Sequence, residues 1–230
     1  MGHKRCWALA ALMVVLPLAA NAQDVGRYPK GLFGFNGTMA WPTGEFENFV
    51  DWGGGGGIYG VVNFDRRRQI GLRIASSFVI YGHESYPAMM YAPVGRVWVD
   101  VDTDNFIVDF GVGPQITFGH GTLRPYIYGM AGFSYFATVS SLDDVYGGPD
   151  YAHTTNFDDI TYALTGGGGF LVSVSRKVSF DISAQWTYND DVDYLTEGGI
   201  VDNWDGSVTI YPIRSEANLM KFRFGMAFVL

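Results

Sequence analysis

The chain has 230 residues, a formal net charge of −8 and a mean hydropathy of +0.08. That length bounds a single domain of ordinary size, the hydropathy is too low for a bundle of membrane-spanning helices, and the acidic balance disfavours nucleic acid as a partner. With 31 Gly, 16% aromatics and one Cys, the composition favours strands and turns over helices and leaves no disulfide framework.

Residues 1–22 read as a cleaved signal peptide. Lys4 and Arg5 precede an apolar run, and Ala20-Asn21-Ala22 forms a small-x-small cleavage box before Gln23. Cys6 leaves with it, so the mature domain, residues 23–230, has no thiol.

From there the dominant signal is period-two alternation, the mark of strands with two unlike faces. Weaker alternation marks residues 31–41 and 52–64. Residues 70–81 place Ile70, Leu72, Ile74, Phe78 and Ile80 on one face and Arg73 on the other. Residues 106–118 place Phe106, Val108, Phe110 and Val112 opposite Asp109. Residues 125–137 and 161–173 follow, more weakly. Residues 178–188 alternate throughout, Phe180, Ile182 and Trp186 against Asp181, Ser183 and Gln185. At the end, Phe222, Phe224, Met226, Phe228 and Leu230 oppose Lys221 and Arg223. Segments of this length suit tilted transmembrane strands, and eight is an allowed even number.

The connections alternate between long and short. Residues 42–51, 83–105, 138–160 and 189–216 are long; residues 65–69, 119–124 and 175–177 are short. An up-and-down barrel with both ends on one side of a membrane requires that order. Charge follows it: beyond Asp24, Asp65, Asp109 and Asp181, every carboxylate of the mature chain lies in a long connection. There only Arg96 and Arg214 oppose them, while the short turns carry Arg66, Arg67, Arg68, Arg124, Arg176 and Lys177. The fold expected is therefore all-β, an antiparallel up-and-down transmembrane β-barrel of eight strands.

Two regions leave the register open. Val97, Val99 and Val101 differ in parity from Phe106, Val108 and Phe110, which calls for a bulge near residues 102–105 or a separate extracellular hairpin. Residues 207–213 are also strand-like, and if both regions enter the barrel the count rises to ten.

Parity sends Arg73, Asp109, Asp181, Gln185, Lys221 and Arg223 into the lumen. Buried charges must pair or meet water, so a structural salt-bridge network is expected there, with a gate or narrow conduit as the alternative. Trp41, Trp52, Tyr81, Trp98, Trp186 and Tyr188 cluster near strand ends and fit an interfacial belt.

The last residues, Arg223-Phe224-Gly225-Met226-Ala227-Phe228-Val229-Leu230, resemble the assembly signal of outer-membrane barrels, carried by Gly225, Phe228 and Leu230. Such proteins usually end in Phe; here Leu230 stands last. Residues 125–133, Pro-Tyr-Ile-Tyr-Gly-Met-Ala-Gly-Phe, and Pro42-Thr43-Gly44-Glu45-Phe46 are similar to small OmpA/OmpX-like barrels. The resemblance covers the whole mature chain. It implies the Gram-negative outer membrane, insertion by the barrel assembly machinery, and contact with outer-membrane lipid and lipopolysaccharide. It does not imply one function. No peptidoglycan-binding tail and no plug are expected, and the protein is expected to be a monomer.

Chemical motifs are sparse. His83-Glu84-Ser85 resembles the His-x-Ser pair of lipid A deacylase barrels, in which His activates Ser for acyl transfer. Asp143-Asp144, Asp158-Asp159 and His153 resemble acidic residues of barrel proteases, although acidic loops supply such pairs by composition. Asp100-Val101-Asp102-Thr103-Asp104 begins like a calcium loop but has Asn105 and Gly111 where Gly and Glu belong, so no dedicated metal site is expected. Gly53–Gly57 lacks the Gly-Lys-Ser/Thr of a phosphate loop, and no cofactor is expected. The expected role is structural or surface-interacting, with acidic extracellular loops that attract divalent cations and without catalysis. The alternatives are a narrow channel for small or apolar solutes and an outer-leaflet lipid A modifying enzyme.

Overall fold

The computed structural model describes residues 29–92, 95–119, 121–144, 152–202 and 208–230. The signal segment lies outside these residues. Among the described residues twelve strands follow in order: β1 (Gly31–Thr43), β2 (Gly53–Asn63), β3 (Ile70–Ala92), β4 (Gly95–Thr117), β5 (Leu123–Asp144), β6 (Ala152–Ser173), β7 (Val178–Asn189), β8 (Asp191–Tyr194), β9 (Ile200–Asp202), β10 (Val208–Ile210), β11 (Ile213–Glu216) and β12 (Asn218–Val229). Eight of them close a barrel in the order β1-β12-β7-β6-β5-β4-β3-β2, with every neighbour antiparallel. The short strands β8 with β11 and β9 with β10 pair outside that ring, so the barrel count is eight and not ten.

The alternation places apolar side chains outside and polar ones inside, the reverse of a soluble domain. Phe35, Ile58, Ile74, Phe110, Ile127, Leu164, Phe180 and Phe224 are all exposed on the outer surface. Asn36, Ser77, Gln115, Ser134, Thr161, Ser183 and Gln185 are buried inside. Hydrocarbon solvates the first set, and closure leaves no unpaired edge in it. No helix among the described residues is long and apolar enough to cross a membrane; strands make the crossing in a barrel of this kind.

The closing seam is β1 against β12, continuous from Leu32↔Val229 to Thr43↔Asn218. Gly225 sits there opposite Asn36. A Cβ at Gly225 would lie 2.0 Å from the carbonyl oxygen of Phe35, inside any van der Waals contact. Gly225→Ala is therefore expected to keep the seam from zipping in this register. Refolding of purified protein, read by the heat-dependent gel shift, should lose most of the folded band; a wild-type yield would refute the seam argument.

The long connections turn out differently from simple loops. Strands β3 to β6 run 22–23 residues, whereas β1, β2, β7 and β12 run 11–13. The excess of about ten residues corresponds to roughly 34 Å of strand. Pairing continues along it, to Ala92↔Gly95 between β3 and β4, Val99↔Asp144 between β4 and β5, and Leu142↔Ala152 between β5 and β6. Residues 83–92, 95–105, 138–144 and 152–160 thus build a four-stranded wall standing on one side of the barrel mouth.

The bulge expected near residues 102–105 is absent, so Val101 simply takes the parity of Asp109 and the apolar positions of β4 change face along the strand. β4 keeps one register with β5 from Val99 to Thr117. The irregularity falls between Ile80 and Gly82 of β3, leaving Tyr81 without an opposite residue. Beyond it the parity of β3 flips. Tyr81 shares the parity of Arg73 and is buried in the barrel, 8% exposed, so it leaves the interfacial belt. Trp41, Trp52 and Trp186 stay exposed on the outside. The side chain of Trp98 lies outside what is described.

At the opposite end the turns are tight. Asp65 caps the first of them, accepting the backbone N–H groups of Arg67 and Ile70 at 2.9 Å each. Desolvation raises its carboxyl, but backbone donation from Ile70, Arg67 and Gln69 together outweighs that and holds it below the usual carboxylate range.

Candidate functional site

Lumen residues come from alternate positions of all eight barrel strands, and three layers follow along the axis. The middle layer holds the charges. Asp109 on β4 and Lys221 on β12 form an ion pair across the lumen, with the Lys221 side chain fully buried and that of Asp109 14% exposed. Ser77 and Ser134 also bond the Asp109 carboxylate, at 2.8 and 2.7 Å.

Asp181 on β7 takes different partners from those its neighbours suggest. Its register position is opposite Gly225, next to Arg223 on the adjoining strand, yet its two oxygens accept the hydroxyls of Tyr59 at 2.6 Å and Tyr126 at 2.5 Å. Arg73, fully buried, lies with its guanidinium carbon 3.8 Å from the ring centroid of Tyr59 and 4.5 Å from that of Tyr128. Its Nη1 donates to Gln115 at 2.8 Å. Arg223 donates to the Tyr128 hydroxyl, which itself donates to Gln185 at 2.9 Å. Among the described residues, the lumen thus has one ion pair, Lys221–Asp109, and two arginines held by aromatic faces and neutral oxygens. The tyrosines were missed in the sequence; Tyr59 sits in the Gly-rich second segment, and Tyr126 and Tyr128 look like ordinary strand aromatics.

The layer toward the long hairpins is apolar. After β1 the chain makes a five-residue 3-10 helix, Gly44–Asn48, begun by Gly44 at φ 71°. It inserts Phe46 into the mouth of the barrel, fully buried. Tyr81, Phe136 and Tyr194 surround it edge-on, with ring centroids 5.6, 6.4 and 5.0 Å away. Ile107, Val79 and Leu219 complete the cluster. This aromatic stopper and the Arg73–tyrosine stack beneath it fill the lumen. The layer toward the short turns opens into a cavity of about 360 Å³.

His83 and Ser85 lie on β3 beyond the bulge, both exposed on the outside of the wall. His83 Nδ1 is 2.8 Å from Asp104 Oδ1, directly across in the register. No hydrogen bond between His83 and Ser85 is present among the described residues, so the arrangement orients His83 on a carboxylate without joining it to a nucleophile. The Asp104 hydrogen bond, together with the nearby charges of Asp104, Asp102 and Glu197, raises the imidazole above its ordinary 6.5 despite slight desolvation. A raised value means the pair stabilises fully below 6.5, and this is lost as pH rises through the folded-state value. An NMR titration of the His83 ring should give a midpoint above 6.5 that falls on Asp104→Asn; an unchanged midpoint would remove the pair.

The three residues of the terminal motif sit at the seam. Gly225 is described above. Phe228 stacks on Phe35, with centroids 5.9 Å apart, and Leu230 is exposed while its N–H bonds Gly31 O at 3.0 Å. No group of three or more His, Cys, Asp or Glu residues among those described is arranged to hold a metal ion.

A closed eight-stranded antiparallel barrel with an apolar exterior and a lumen filled by side chains is the architecture of the small outer-membrane β-barrels. Three solved structures of that class are similar to this chain. Neisserial surface protein A is 12% identical, covers 87% of this chain and 97% of its own, and has a TM-score of 0.49. A major outer membrane protein from Thermus thermophilus is 9% identical over 86% of this chain and 98% of its own, at 0.48. Ail, the attachment invasion locus protein of Yersinia pestis, is 10% identical over 87% and 97%, at 0.46. Likenesses of this size leave function open. No family model and no curated protein sequence matches the chain.

Proposed function

We propose that this barrel acts at the cell surface through its four-stranded wall, without catalysis and without conducting solutes. The observation that carries this reading is the pairing of a stoppered lumen with strands β3 to β6 that outrun the bilayer. A conduit has no use for a mouth filled by Phe46, Tyr81, Phe136 and Tyr194. The hairpin end faces outward and the short basic turns face the periplasm, as in barrels inserted with both ends inside.

The outer face of the wall is acidic. The register sets Asp100, Asp102 and Asp104 of β4 opposite Pro87, Ser85 and His83 of β3. This favours a basic partner surface, or divalent cations bridging the wall to lipopolysaccharide, since carboxylate oxygens suit Mg²⁺ and Ca²⁺. Beyond Ile80, where pairing with β2 ends at Gly54, the flank of β3 has no further strand partner among the described residues and offers an edge to which an extended partner segment can align.

Two measurements test the reading. Refolded protein in a planar bilayer should be silent; reproducible openings would replace it with the channel reading. Changing Asp100, Asp102 and Asp104 together to Asn should weaken Mg²⁺-dependent retention on immobilised lipopolysaccharide while the gel shift stays normal. Equal retention would separate the acidic face from any surface role. The lipid A deacylase reading predicts that His83→Ala changes the acyl pattern of cellular lipid A; here the pattern should not change.

A further inference from the structure

Above the stopper a segment of the chain crosses the mouth. β7 and β3 stand four places apart in the ring of eight, so they face each other across the barrel. β8 follows β7 after a single residue, and from its end at Tyr194 the chain passes through Leu195 into a tight turn, residues 196–199. The Gly199 N–H closes that turn on Thr196 O at 2.9 Å, with Gly198 at φ 76°, a conformation glycine adopts without steric cost. Two hydrogen bonds fasten the segment to β3 at its bulge. The Tyr81 hydroxyl donates to Leu195 O at 3.0 Å, and the Gly198 N–H donates to Glu84 Oε1 at 2.5 Å.

The two fastenings are unequal. Tyr81 and Leu195 are buried, 8% and 1% exposed, so the base of the turn is fixed. The Gly198–Glu84 bond lies at the surface, where water competes for both groups and charged contacts add little. The tip is also set among like charges. Glu197 lines one space of about 270 Å³ with Glu47 and Asp51, and none of the three forms an ion pair among the described residues. Glu197 lines a second space of about 350 Å³, the notch left where β2 ends, between Trp52 and Gly53 on one side and Gly82 and His83 on the other. The imidazole of His83, which attracts Glu197 when protonated, is already paired with Asp104. A weak outer bond and mutual repulsion let the tip lift while its base stays in place.

We propose that the turn at residues 196–199 is an autoinhibitory latch, closing the foot of the unpaired β3 flank until an extended basic segment lifts it. The latch rests on the reading of that flank as the docking edge and adds its regulation. A strand that continues the line of β2 passes Gly82 and His83 through the notch, where Glu197 now stands. A lysine or arginine on that strand meets Glu47, Asp51 and the lifted Glu197, and lies against Trp52, which is 61% exposed. The partner's charge thus removes the repulsion within the notch, so docking and opening are coupled. Apparent affinity is reduced by the fraction of molecules whose latch is closed.

Residues 23–230 contain no cysteine, so Glu84→Cys with Glu197→Cys places two unique thiols, one on β3 and one on the tip. Unlinked, this variant lacks the Glu84 contact and its latch is free; a short bifunctional thiol reagent locks it. The probe is a fluorescent peptide of alternating lysine and valine, titrated into the refolded barrel, with the gel shift certifying that each form is folded. Locking should weaken binding about tenfold or more, because the open fraction falls toward zero. A monofunctional reagent of similar size should leave binding unchanged. Equal binding by locked and unlocked forms, or an equal loss with the monofunctional reagent, overturns the latch and leaves the docking edge standing. Binding by neither form, nor by the wild-type barrel, overturns the docking edge and the latch with it. Amide exchange checks the latch without any partner. The Gly198 N–H should be protected in the wild-type barrel and exchange about threefold faster in Glu84→Ala, the effect of one exposed contact. Equal exchange in the two proteins overturns the latch.

Discussion

Replacing Lys221 by Met should lower the stability of the folded barrel by about 3 kcal/mol, because removing one partner of a buried ion pair leaves the other uncompensated. Lys221 is fully buried and Asp109 nearly so, and the two meet across the lumen from strands β12 and β4. Ser77 and Ser134 continue to donate to the stranded Asp109 carboxylate, which sets the loss at the lower end of the range. The double variant Lys221→Met, Asp109→Asn removes the stranded charge and should recover most of the loss, so the two changes are strongly non-additive. Arg214 provides the contrast. It is 66% exposed and lies 3.7 Å from Asp193 at the hairpin end; Arg214→Gln should cost well under 1 kcal/mol. Urea titration in lipid vesicles, followed by the gel shift, measures all four proteins. Equal losses for Lys221→Met and Arg214→Gln would mean that water reaches the lumen freely.

The contrast also shows what a sequence can and cannot say about such a lumen. Parity alone identifies Arg73, Asp109, Asp181, Lys221 and Arg223 as inward, because the side-chain period of a strand is two whatever the strand pairs with. Partners are another matter. Asp181 meets Tyr59 and Tyr126, which lie 122 and 55 residues away in the chain. No spacing rule links residues that face each other across a barrel; only the closed geometry does. The eight strands were legible where one face is apolar. The outer parts of β3 to β6 were less legible: Val97, Val99 and Val101 alternate, but residues 83–92, 138–144 and 152–160 carry no continuous apolar face, so most of these paired strands read as loops. Tyr81 was misplaced for a related reason: an aromatic near a strand end suits an interfacial belt, and only its parity, shared with Arg73, shows that it turns inward. Phe46 offered no signal, since a five-residue helix is too short for any periodicity.

Phe46 therefore tests the reading of function most directly. Phe46→Ala should cost about 3 kcal/mol, from lost burial and the void left among Tyr81, Phe136 and Tyr194. The rim position, on a single-turn helix that can settle into part of the void, keeps the cost from the top of the range. Removing the stopper should nonetheless leave the barrel silent in a planar bilayer. Beneath it the Arg73 guanidinium remains against the rings of Tyr59 and Tyr128, and the Asp109–Lys221 pair spans the lumen. Two barriers in series must both fail before ions pass. Steady conductance from Phe46→Ala alone would identify the stopper as a gate over a conduit and move the function from the wall into the lumen. Loss of stability with silence would leave the lumen as scaffold, its charges and rings holding the closed barrel on which β3 to β6 stand.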